Sequence, residues 1–137
     1  SPEWLWLRVA LVLAAVIGHL YPLFAGFRGG KGVATSLGGV LAVHPGAAAI
    51  CVGVFAVVFL LSRYVSLSSL AAALAFPMSM VLVFHDPAPV KVGFALVLCA
   101  LVFYTHRQNI GRLMRGEENR MSLAPRGGGK RLKQSVR

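Results

Sequence analysis

Ser36-Leu37-Gly38-Gly39-Val40-Leu41-Ala42-Val43-His44-Pro45-Gly46-Ala47-Ala48-Ala49-Ile50-Cys51-Val52-Gly53-Val54-Phe55-Ala56-Val57-Val58-Phe59-Leu60-Leu61 runs for 26 residues without Asp, Glu, Lys or Arg. Tyr64 to Phe84 adds another 21. Soluble helices seldom sustain this, and about 20 apolar residues suffice to cross a bilayer. The rest of the chain agrees. Of 137 residues, 57% are apolar and 13% charged, against about 25% charged in an ordinary soluble domain. That balance excludes a disordered chain and argues against a soluble globular one. Two cysteines exclude a disulfide framework. Four scattered histidines give no zinc-ligand spacing, so no metal is expected.

Outward from that stretch the chain divides into spans. Leu5 to Tyr21 reads as the first, with Trp4 and Trp6 as interface anchors and Arg8 close enough to its end to snorkel. Val33 to Val43 is apolar but only eleven residues long. At about 1.5 Å per residue it is too short to span alone. Either the preceding glycine loop dips into the membrane or this is a partial helix packed in protein. Gly46 to Leu61 is the second full span, behind Pro45. A third runs from about Leu67 to Phe84, with Pro77 as an expected kink. A fourth runs from about Val90 to Tyr104, after the turn His85-Asp86-Pro87-Ala88-Pro89. The expected fold is an all-α polytopic membrane bundle of four full spans and one short helix. Residues 1–118 form its transmembrane domain, and 119–137 a basic, disordered tail.

Charge sets the orientation. Fourteen Lys and Arg face four acids, a net charge of +10, and nine of the basic residues follow Thr105. If 33–43 counts as a crossing, then residues 22–32, 62–66 and the tail share one side. That side carries twelve of the fourteen basic residues. The positive-inside rule makes it cytoplasmic.

Three polar stretches fall on that side. The first leads from Gly18-His19-Leu20-Tyr21-Pro22 to Gly29-Gly30-Lys31-Gly32-Val33-Ala34-Thr35. Glycines let backbone approach an anion, a helix N-terminus aims N–H groups at it, and a lysine adds charge. This suits a phosphate cradle, although it is not a Walker A loop; on composition alone a plain cytoplasmic turn is the other reading. The second is Arg63-Tyr64-Val65-Ser66-Leu67-Ser68-Ser69, whose serines either cap a helix or offer hydroxyls to a phosphate or substrate. The third is His106-Arg107-Gln108-Asn109-Ile110-Gly111-Arg112-Leu113, then Gly116-Glu117-Glu118. His106 and Asn109 share a helical face, while Ile110 and Leu113 fit a stripe against the membrane. Taken alone this third stretch reads as a juxtamembrane helix. On the opposite side, His44 reads as a helix-end residue and His85 and Asp86 as solvated. Cys51 and Cys99 lie within spans as packing residues.

Together these stretches resemble the bacterial acyl-phosphate:glycerol-3-phosphate acyltransferases, the PlsY family. The pattern Gly-His-x-x-Pro-x-Phe-x-x-Phe-x-Gly-Gly-Lys-Gly-Val-Ala-Thr runs from Gly18 to Thr35. Arg-Tyr-x-Ser-Leu-x-Ser runs from Arg63 to Ser69, and His-Arg-x-Asn-Ile-x-Arg-Leu-x-x-Gly-x-Glu from His106 to Glu118. The resemblance implies an enzyme of the bacterial inner membrane with a cytoplasmic site. It would transfer a fatty acyl group from acyl-phosphate to the 1-position of sn-glycerol 3-phosphate, without a cofactor. It implies that Lys31, Ser69, His106 and Asn109 surround the substrates and act in catalysis. Gly29, Gly30, Lys31, Gly32 and Thr35, with Arg107 and Arg112, would bind phosphate. His19, Ser66 and Glu118 would support them, Glu118 by ordering the Arg112 segment. His106 would serve as general base or simply hydrogen-bond a phosphate. Membrane lipids are expected partners and nucleic acid is not.

Members of that family begin with further helices and a Ser/Gly/Asn-rich motif followed by a substrate-binding arginine. Nothing here matches them, and the chain starts at Ser1-Pro2-Glu3-Trp4 without a Met. It is expected to be the C-terminal part of the family fold. Two other readings stand beside the acyltransferase. One is a transporter or channel for an anionic solute, which needs polar groups near mid-membrane. The other is an inactive fragment or scaffold whose basic tail binds anionic lipids.

Overall fold

The structure, a computed structural model, describes residues 2–21 and 31–122. Among these residues every regular element is helical: α1 (Pro2–Leu20), α2 (Val33–Val43), α3 (Pro45–Ser62), α4 (Val65–Leu82), α5 (Pro89–Thr105) and α6 (Arg107–Met114). α1, α3 and α4 are each long and apolar enough to cross a membrane. α5 joins them if counted with α6, from which it is bent by 61°. The architecture is the expected polytopic helical bundle, with α2 as the short helix.

α2 connects the two ends of the bundle. Lys31, just before it, reaches Asn109 beyond the end of α5. His44, just after it, packs on Phe84 beyond the end of α4, ring centroids 4.4 Å apart. The helix therefore runs from one end of the bundle to the other, packed between α1 and α3. Its buried face is Ser36, Gly39 and Val40. Gly39 allows the close approach to α1: a Cβ there would lie 2.2 Å from Val12 Cγ1. α4 lies between α3 and α5. Met80, Phe76 and Ala95 fill the centre, with Phe76 edge-on to Phe94. Outward-facing Leu60, Leu61, Leu82 and Leu96 are more than half exposed. Such a surface suits a lipid solvent, not water.

The corners follow local chemistry. His44 ends α2 and caps α3, its Nδ1 accepting the Ala47 N–H at 3.1 Å ahead of Pro45 in the first turn. Arg63 takes a left-handed conformation, φ 62°, and turns the chain within two residues. For that reason no serine caps α4: its N-cap is Tyr64, without a side-chain bond, and Ser66, Ser68 and Ser69 fall inside the first turns. α4 continues through Pro77. At the opposite end Asp86 is paired with Lys91 instead of simply solvated. The hydrogen bond from Lys91 holds its carboxyl below the usual range.

Candidate functional site

The end of the bundle that holds Lys31 collects the polar groups. α6 lies across it because His106 interrupts α5 and the chain turns. Ile110 and Leu113 of α6 are half-buried, whereas Arg107, Gln108 and Met114 are exposed. Asn109 is turned inward and buried.

Glu118 organises the cluster. Its Oε2 accepts from Asn109 Nδ2 at 2.8 Å and from the Ser66 hydroxyl at 2.9 Å. Its Oε1 accepts from Arg112 Nε at 3.1 Å and from the Asn119 N–H at 3.2 Å. One carboxylate thus ties α4 to α6 and to the strand of chain after α6. The strap continues: the Met121 N–H donates to the Arg63 carbonyl at 2.8 Å, and the Arg120 guanidinium lies over the Tyr64 ring. Burial pushes the Glu118 carboxyl up, but the bonds from Asn109, Ser66, Arg112 and Asn119 outweigh it and bring the pKa to about 2.

Lys31 meets this network through Asn109, whose Oδ1 accepts from the ammonium. Asn109 is therefore fixed from both sides. Burial holds the Lys31 pKa below that of a free lysine, Arg112 adds to the depression and Glu118 opposes it. The ammonium has three donors, and one is committed to Asn109. Gly32, at φ 68°, lets the chain turn from Lys31 into α2, and the space a Cβ would fill is bounded by Leu20, Val16 and His19.

His106 is 2% exposed, with Nδ1 2.8 Å from the Val102 carbonyl. A carbonyl only accepts, so Nδ1 carries the proton and Nε2 of the neutral ring is left as an acceptor. The Thr105 hydroxyl sits 3.3 Å from the same Nδ1.

Below the cluster lies an apolar cavity of about 410 Å³ among α2, α3, α4 and α5. Val33, Ser69 and Val102 line it at the cluster end, and Val40, Cys51 and Phe76 deeper in. Ser36 also lines it.

The structure brings together Lys31, Ser66, Asn109, Arg112 and Glu118 by direct bonds. His106 and Ser69 stand at the same end, although the Ser69 hydroxyl returns to the Val65 carbonyl at 2.9 Å. Arg107 turns away: it is exposed, stacks on Tyr104 and donates to the Tyr104 carbonyl. Among the described residues Thr35 makes no hydrogen bond with the cluster, and His19 is exposed at the end of α1. Gly29 and Gly30 lie outside the described residues, as do most of the loop 22–32 and tail residues 123–137. Ser36 was missed by the sequence reading. The Ser36-Leu37 step gives no polar pattern, and only burial singles it out.

The sequence model of the family described as glycerol-3-phosphate acyltransferase matches residues 2–116. The chain belongs to the glycerol-3-phosphate acyltransferase family. The Aquifex aeolicus glycerol-3-phosphate acyltransferase is 47% identical over 116 residues, covering 84% of this chain and 59% of that relative. The Bordetella pertussis glycerol-3-phosphate acyltransferase is 46% identical over 126 residues, covering 88% of this chain and 58% of the relative. Among solved structures, PlsY, an integral membrane glycerol 3-phosphate acyltransferase crystallised in its glycerol 3-phosphate form, superposes with a TM-score of 0.75. It is 44% identical and covers 83% of this chain and 57% of its own. The lysophosphatidic acid form of that enzyme matches equally well. The chain thus spans somewhat under three-fifths of the length of the glycerol-3-phosphate acyltransferases it matches.

Proposed function

We propose that the protein to which this chain belongs is a membrane glycerol-3-phosphate acyltransferase. It moves a fatty acyl group from acyl-phosphate to the 1-hydroxyl of sn-glycerol 3-phosphate, at the cytoplasmic face of a bacterial inner membrane. The products are lysophosphatidic acid and phosphate. One observation carries this reading: Lys31, two residues before Val33 of the apolar cavity wall, is held by Asn109 at the end of the bundle where the basic residues gather. An amphiphile with an anionic head fits that arrangement. The solved relatives, in glycerol 3-phosphate and lysophosphatidic acid forms, support the same substrate class.

The residues divide the work by charge. Glu118 already has four donors and offsets Arg112, so it does not satisfy Lys31. A phosphate beside Lys31 supplies the missing negative charge and raises the depressed lysine pKa. Charge-assisted bonds of this kind are the strong ones in a partly dry site. Asn109, clamped by Glu118, keeps the ammonium at one position. The loop Gly29–Gly32 supplies backbone N–H groups to the same phosphate.

In the transfer step the 1-hydroxyl oxygen of glycerol 3-phosphate attacks the acyl carbonyl carbon. A new C–O bond forms, the bond from that carbon to the phosphate oxygen breaks, and phosphate leaves with the electron pair. The hydroxyl proton needs an acceptor. His106 Nε2, left free by the Nδ1 bond to Val102, is one, and the leaving phosphate is the other. Ser69, at the top of the cavity, orients the reacting groups. The transfer is direct, since Cys51 and Cys99 face the apolar cavity and neither lies with the polar cluster.

The test is kinetic. Lys31→Ala in the full-length enzyme should raise the KM for a phosphate-bearing substrate by about 10- to 100-fold, the loss expected for a charged hydrogen bond. Unchanged KM values for both substrates would refute the phosphate assignment.

A further inference from the structure

Six serines lie within the described helices, and five have a partner for the hydroxyl. Ser62, Ser68 and Ser69 return it to the carbonyl four residues back, and Ser79 to the carbonyl three back. Ser66 gives it to Glu118. Ser36 differs. It is 6% exposed, and its buried hydroxyl has no hydrogen-bond partner among the described residues. A buried hydroxyl with no bond carries its whole desolvation cost. Ser36 also lines the apolar cavity.

Its position along α2 adds direction. Lys31 stands just before the helix, at the polar cluster. Ser36 lies one turn inside, its own N–H bonded to the Gly32 carbonyl at 2.8 Å. Leu37 and Val40 continue the cavity wall beyond it. Along α2 from the polar cluster inward the order is cation, neutral hydroxyl donor, apolar wall. An acyl-phosphate has the same order: phosphate, carbonyl oxygen, alkyl chain. Glycerol 3-phosphate does not, because it has no apolar part to place against Leu37, Val40 and Phe76.

We propose that the Ser36 hydroxyl donates a hydrogen bond to the carbonyl oxygen of the fatty acyl donor and so fixes the acyl carbon at the mouth of the cavity. This rests on the acyltransferase reading above. Ser36 is a substrate-binding residue that neither the Gly-Gly-Lys-Gly loop nor the His106–Glu118 stretch contains. Its bond aligns the carbonyl for attack and leaves the phosphate to Lys31.

The experiment compares wild type, Ser36→Ala and Ser36→Thr in the full-length enzyme in native membranes. The substrates are palmitoyl-phosphate and glycerol 3-phosphate, with hexadecyl phosphate, which lacks the carbonyl, as competitive inhibitor. Ser36→Ala removes only an unpaired polar atom, so the protein should fold with an undiminished Tm. Its kcat/KM for palmitoyl-phosphate should fall roughly 3- to 10-fold, the worth of one neutral hydrogen bond. The KM for glycerol 3-phosphate and the Ki of hexadecyl phosphate should stay within about twofold, a range too small to represent a lost bond. Ser36→Thr keeps the hydroxyl and should recover most of the loss. An unchanged kcat/KM in Ser36→Ala would overturn the inference alone. So would an equal loss with hexadecyl phosphate, which would mean a change of cavity shape. No product from the wild type with palmitoyl-phosphate would overturn the acyltransferase reading, and this inference with it.

Discussion

Glu118 carries the largest share of bonds at the site, and its protonation sets an acid limit. Its folded-state pKa of about 2 lies below the ~4.3 of a glutamate in an unfolded chain. The stabilisation it gives is therefore present above about pH 4.3 and is lost as pH falls toward 2. Thermal unfolding in detergent should show Tm falling over that interval. Glu118→Gln should lower Tm at neutral pH and flatten the acid limb; an unaltered limb would exclude Glu118 as its source. His106 tests the proton. If Nε2 takes it, His106→Gln should reduce kcat by about 100-fold or more and abolish the acid limb of the kcat profile. Retention of most activity would assign the proton to the leaving phosphate. The identities of Lys31, His106, Asn109 and Glu118 were legible as motif residues. Their wiring was not. The bond from Ser66 to Glu118 joins residues 52 positions apart, and nothing local in either stretch specifies the partner.

At the scale of elements, the spans were readable because lipid imposes length and apolarity on them. The expected spans differ from α1, α3, α4 and α5 by no more than three residues at any boundary. The corners were less readable. Helix α4 begins two residues after α3 because Arg63 accepts a left-handed conformation, which no sequence rule assigns to arginine. The serines therefore enter the helix instead of capping it. α2 shows the same limit: eleven apolar residues do not say where the segment sits, whereas the contacts of Lys31 and His44 place its flanks at opposite ends of the bundle. Its seat against α1 depends on Gly39. Gly39→Ala would force a Cβ onto the stiff side chain of Val12. The expected cost is about 1–3 kcal/mol for such overpacking, measured as reduced resistance to denaturant. Gly38→Ala, which meets nothing within 4 Å, is the matched control and should be neutral or slightly stabilising. Equal effects at the two positions would contradict the close approach of α1 and α2.

At the scale of the whole molecule, two environments meet at one end of the bundle. The polar cluster ties α2, α4 and α6 together, and the apolar cavity opens beneath it among α2 to α5. The transporter alternative required polar groups deep in the spans. Among the described residues the bonded charged groups stand instead at the ends, Lys31, Arg63, Arg107, Arg112, Arg115, Glu117, Glu118 and Arg120 at one and Asp86 with Lys91 at the other. The cavity could not be read from the sequence, because apolar side chains that line a hollow are written no differently from those that fill a core. The central claim is that the cluster and the cavity together receive an acyl-phosphate. The most direct measurement is acyl transfer to labelled glycerol 3-phosphate in membranes containing the full-length protein, with palmitoyl-phosphate and palmitoyl-CoA offered in parallel. The account predicts lysophosphatidic acid from palmitoyl-phosphate alone. Product from palmitoyl-CoA alone, or from neither donor, would contradict it.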